Sequence, residues 1–189
     1  SNARLPVSTS EAELLDNTVN NVVVPSVEKF STAAQELHDG SVSFCVAPNL
    51  QKLTALQGQW RVLSESWYAL ALYNIGPLDE LDVAGRAYFR IDSLRVRGTD
   101  YAGIVASAIQ ASIAASDTLD EAYFSSLVFS NVGLLPLEYL LFEEYLNAGG
   151  NNNAAILAEF SNARKCAWLT GLSQQLSKLS MQLTSQWKE

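Results

Sequence analysis

The chain has 189 residues, 48% of them hydrophobic, which suffices for one domain with a sizeable core and excludes a disordered chain. Its 12 basic against 20 acidic residues give a formal charge of -8 and a pI near 4.6, a field that repels phosphate backbones and anionic lipid headgroups and argues against a nucleic-acid partner. The longest nearly apolar run, residues 132–142, is short of the roughly 20 residues a bilayer span needs and contains Glu138, so no transmembrane segment is expected.

Ser1-Asn2-Ala3 reads as the remnant of a cleaved tag, leaving residues 4–189 as a single domain. Ser10-Glu11-Ala12-Glu13 has the form of a capping box, which predicts a first helix starting at Ser10, with Leu15, Val19, Val22, Val27, Phe30 and Leu37 at helical spacing and Gly40 as its end. Pro25 falls inside that pattern and predicts a disturbance near Val24, because it has no N–H and clashes with the preceding turn. Near the expected end of this helix stands the only histidine, His38, beside Asp39, where an imidazolium is favoured by the helix dipole.

A second helix is marked by Leu50, Leu53, Leu56, Trp60, Leu63, Trp67 and Leu70 and is stopped by Gly76-Pro77. Its two tryptophans share one stripe, which reads as core rather than as a ligand-stacking platform. Between Leu78 and Gly98 the periodicity fails, and Arg86, Arg90, Arg95 and Arg97 gather among Asp79, Glu80, Asp82 and Asp92. Those arginines either bind an anion or pair with the carboxylates around them.

Helical spacing resumes at Thr99, and a second capping box, Thr118-Leu119-Asp120-Glu121, predicts a helix ending near Gly133. A short apolar helix from Leu134 to Leu146 follows, then the linker 149–153 and a last helix with its seam on Phe160, Leu169, Leu172, Leu176, Leu179, Leu183 and Trp187. If continuous, that helix is roughly 50 Å long. No alternating run points to a strand, so the expected fold is all-α: an up-and-down helical bundle of long helices with short ones inserted.

Cys45 and Cys166 lie far apart with no Cys-x-x-Cys spacing, which leaves either one long-range disulfide or two buried free thiols. The lone histidine excludes a di-iron bundle built on Glu-x-x-His pairs and disfavours Ser-His-Asp and Cys-His centres. The segment 133–142, Gly-Leu-Leu-Pro-Leu-Glu-Tyr-Leu-Leu-Phe, is apolar around the whole helix, so Glu138 is expected to be buried with it. A buried carboxylate must be paired, metal-bound or protonated.

These residues resemble the signature segment of the imelysin family, bacterial envelope proteins classed with insulin-cleaving metallopeptidases and linked to iron uptake. Trp60 and Trp67 followed by Gly76-Pro77, the stretch Ile91-Asp92-Ser93-Leu94-Arg95, and the helix around residues 164–176 extend the resemblance over most of the chain. The family's Gly-x-His-x-x-Glu motif falls on Gly133, Leu135 and Glu138, with leucine at the histidine position. In that motif, residues three apart share a helix face and let an imidazole and a carboxylate converge on a cation. Leucine does neither metal-ligand nor acid/base work.

The resemblance implies an envelope protein, in its natural form periplasmic or lipid-anchored, that binds a small ligand, a metal or an envelope protein partner in the service of metal acquisition. Gly133, Glu138 and Arg95 are the implied ligand-binding residues. Glu138 is the implied ligand if iron or zinc is bound. A surviving peptidase centre would need Glu143 or Glu144 in place of the imidazole, and a third reading makes the chain an interaction scaffold. The envelope also favours pairing Cys45 with Cys166. Family members are generally longer, with two helical bundles that meet near the motif, whereas this chain holds one bundle's worth of helices.

Overall fold

Pro25 removes a backbone donor from the middle of an apolar pattern, and the chain responds by widening its helix. In the computed structural model, which describes residues 7–71, 90–92, 101–143 and 152–188, α1 (Val7–Thr18) passes through a π turn (Val19–Val23) into α2 (Val24–Val46). The turn lies directly before Pro25, where the regular i→i−4 ladder loses a donor. Ser26 Oγ donates to the carbonyl of Val22 at 2.6 Å, adding a side-chain bond where the backbone ladder is disturbed.

Both boundaries of the first helix differ from the sequence expectation. Ser10 lies inside α1, because the chain is already helical at Val7 and the amides of the capping box are not helix-terminal. Gly40 lies inside α2 and does not end it. A Cβ at Gly40 would stand 3.0 Å from Leu56 and closer still to the Gln59 side chain, so this glycine serves the close approach of α3 (Leu50–Ala71) instead. His38 is consequently mid-helix and caps nothing; its Nδ1 lies 3.2 Å from Ser173 Oγ.

The long helices assemble around α2. Its buried residues Val27, Phe30, Leu37 and Phe44 meet Leu53, Leu56, Leu63 and Trp67 of α3 on one side, and the seam of α8 (Ala163–Lys188) on the other. Along the α2–α8 interface the rungs Cys45 with Cys166, His38 with Ser173, and Ser31 with Ser180 recur every heptad, and their reversed order makes the two helices antiparallel. Buried serines at Ser31, Ser41, Ser173, Ser177 and Ser180 let the backbones come close.

Long and short helices together enclose α6 (Leu134–Phe142), which packs against α3, α4 (Tyr101–Ala114), α7 (Asn153–Glu159) and α8. Trp60 Nε1 donates to the Leu134 carbonyl at 3.1 Å, while Gln57 Nε2 donates to the Leu141 carbonyl at 2.9 Å and to Asn153 Oδ1 at 2.8 Å. Trp67 is fully buried against Phe30, so both tryptophans are core and packing residues.

The helix expected from Thr118 to Gly133 is only α5 (Glu121–Ser125), followed by a 3-10 turn (Phe129–Asn131). Asp120, two residues beyond the expected Thr118, is its N-cap and accepts from the Tyr123 amide at 2.9 Å. The Ser126 hydroxyl then donates to the Tyr123 carbonyl, competing with continuation of the helix. Nor is the last helix continuous. Residues 160–162 tighten into i→i−3 bonds between α7 and α8, and Asn162 Oδ1 accepts from the Arg164 amide at 2.9 Å. No strand and no helix long and apolar enough to cross a membrane occurs among the described residues, and the architecture is the expected all-α bundle.

Candidate functional site

The entry to α6 is fixed by Gly133. Its φ of +88° is a conformation that side chains rarely adopt, and a Cβ there would collide with the carbonyl oxygens of Arg90 and Ile91. Buried Ile91 and Asp92 are thereby held against the start of the helix. Gly133 and Arg90 line a cleft of about 380 Å³, walled by Ser125, Gln175 and Gln182 and by the ion pair of Lys178 with Glu121. Arg90 Nη1 donates to the Leu127 carbonyl at 3.4 Å.

Further along α6, Glu138 is half-buried, where full enclosure was expected. The helix buries Leu134, Leu135, Pro136, Leu137, Leu140 and Leu141 but leaves Glu138 and Tyr139 partly open. Burial alone raises the Glu138 carboxyl above its ordinary range. Among the described residues it has no hydrogen bond or ion pair, and Leu135 stands one turn before it on the same flank. Glu138 is not among the residues lining the Gly133 cleft. Arg95, the third implied ligand-binding residue, lies outside the described residues, as does the candidate ligand Glu144.

A second group was only partly visible in the sequence. Just past the end of α6, Glu143 meets Glu159 from the end of α7 and Lys165 from the first turn of α8. The Lys165 ammonium lies 2.6 Å and 2.7 Å from their Oε2 atoms and 4.5 Å from the centre of the Phe160 ring. Desolvation pushes the Glu143 carboxyl up to about 7, assisted by its hydrogen bond with Glu159 and opposed by Lys165. The same hydrogen bond pulls Glu159 below its ordinary value. The phenol of Tyr139 is raised by burial and accepts from Gln110 Nε2 at 3.0 Å. These groups and Asn162 line a cavity of about 410 Å³. The available sequence signal was Lys165 itself, a cation one turn before Trp168 and Leu169 on the buried seam of α8.

Cys45 and Cys166 form a disulfide with their Cα atoms 5.7 Å apart, joining the last turn of α2 to the first turn of α8. The donors needed by a peptidase metal are not assembled among the described residues, where no three His, Cys, Asp or Glu side chains cluster. A zinc centre takes at least three protein ligands. Glu138 offers one, Leu135 offers none, and Glu143 and Glu159 are already directed at an ammonium.

Comparison with known proteins shows the family and the fold. The imelysin family model (Peptidase_M75) matches residues 23–189. An imelysin-like protein of Psychrobacter arcticum 273-4, known from its crystal structure, is 23% identical and superimposes with a TM-score of 0.73, over 98% of this chain and 52% of that one. This chain therefore spans about half the length of that relative, and the likeness is one of fold. No curated protein matches it.

Proposed function

Since the chain belongs to the imelysin family, we propose that it is a non-catalytic binding bundle of the bacterial cell envelope, serving iron or other metal acquisition, with Glu138 as the group that meets its ligand. One observation carries the reading. Glu138 is a half-buried carboxylate held above its ordinary range by burial, with no partner among the described residues. Such a group has given up hydration without an internal return, and it is satisfied by a ligand or partner that brings a cation or a hydrogen-bond donor. Leu135 beside it contributes shape and dryness but no coordination. The scarcity of metal donors around Glu138 among the described residues supports the non-catalytic reading, since activating water on a metal requires several ligands and one open position.

The test is titration of the purified chain with zinc, ferrous and ferric iron, in parallel with Glu138→Ala checked for helicity by circular dichroism. The expected result is binding that disappears in the folded variant. Binding unchanged by the substitution removes Glu138 from the site. Cleavage of a denatured protein substrate that depends on zinc and on Glu138 overturns the non-catalytic reading.

A further inference from the structure

Three separate parts of the chain deliver one charged group each to a single point: Glu143 just past the end of α6, Glu159 at the end of α7 and Lys165 in the first turn of α8. The Lys165 side chain is only 4% exposed, and its charge is tolerated there because two carboxylate oxygens converge on it while an aromatic face closes a further side. Convergence of carboxylates from different elements is how proteins hold hard divalent cations, with remaining positions filled by carbonyls, side-chain oxygens or water. The adjoining cavity of about 410 Å³ provides such oxygens on Tyr139, Ser161 and Asn162. What sits at the focus is an ammonium supplied by the chain.

We infer that Lys165 is the resident cation of a two-carboxylate site, standing where a divalent ion would otherwise be held by Glu143 and Glu159, and that it keeps such ions out. The inference deepens the reading of a bundle without a peptidase metal and rests on it, because it gives a physical reason for the carboxylates nearest α6 not to recruit one. It also assigns metal selectivity to a residue other than Glu138. Hard oxygen donors make Mn2+ the suitable probe.

The experiment is a Mn2+ titration, read from the free-ion electron paramagnetic resonance signal, on the full chain with its disulfide intact. Wild type, Glu138→Ala, Glu159→Gln, Lys165→Met and Lys165→Met/Glu159→Gln are compared, each checked by far-ultraviolet circular dichroism. Wild type is expected to take up no Mn2+ that depends on Glu159. Lys165→Met is expected to bind one ion, and the double variant to bind about tenfold more weakly or worse. A folded Lys165→Met that takes up no Mn2+ overturns the inference, as does wild-type uptake abolished by Glu159→Gln. If Lys165→Met is unfolded without metal, the readout becomes refolding. Mn2+ then restores its helicity but not that of the double variant, and failure to restore it counts against the inference. Metal held at Glu138 is told apart by its loss in Glu138→Ala and its indifference to Glu159→Gln, so the two readings fail separately.

Discussion

A carboxyl group whose pKa is raised by folding holds its proton in the native chain at pH values where the unfolded chain has released it. For Glu143 that window runs from its ordinary 4.5 up to about 7, so its contribution to stability is greatest at the acid side and is lost as the pH rises through the window. Glu159 shifts the opposite way, and its contribution is lost only as the pH falls below its own ordinary value of 4.5. The two windows do not overlap. Thermal melts between pH 5 and 8 should therefore show a midpoint that declines towards neutrality, and Glu143→Gln, which never ionises, should flatten the decline. A profile that keeps its slope in Glu143→Gln would assign the dependence to another group. At this scale the sequence was informative where a residue broke a local rule. Glu138 in an apolar helix stood out; Lys165 on the apolar seam of α8 breaks the same rule but was not singled out, and the meeting of Glu143, Glu159 and Lys165 depends on the return of α8 beside α6, which no local pattern encodes.

Helices reveal their buried faces more readily than their ends. The seams of α2, α3 and α8 follow from apolar spacing because burial repeats with the helical period, and most of the expected seam residues are buried. The ends depend on single hydrogen bonds and close contacts, which explains why Asp120 rather than Thr118 caps α5 and why residues 160–162 divide the last helix. Gly133 belongs to this class: its place in the motif was legible, but its reason is the passage of Arg90 and Ile91 against the start of α6. Gly133→Ala should destabilise the protein by about 2 kcal/mol or more, since backbone strain and a steric clash act together. The check is the urea midpoint, and a loss below about 0.5 kcal/mol would show that the loop yields easily.

The whole molecule is held by one covalent tie between elements distant in sequence, Cys45 and Cys166, 121 residues apart. Closing so long a loop reduces the freedom of the unfolded chain, and in the chain-entropy account this stabilises the fold by about 4 to 5 kcal/mol. Cys45→Ser/Cys166→Ser, or the wild type under reductant, should unfold at a correspondingly lower denaturant concentration. An unchanged midpoint would mean that packing of α2 on α8 holds these ends unaided.

The same bond makes residues 45 to 166 a closed ring that contains α3 to α7, with α1, nearly all of α2 and most of α8 as tails outside it. A protease that cuts the backbone once within the ring opens a circle without releasing a piece, so the Glu138 helix stays attached to both long helices that flank the closure. A cut in either tail frees a fragment. In an oxidising compartment this confers tolerance of a first backbone break on the part of the chain that carries α6, and reduction withdraws it.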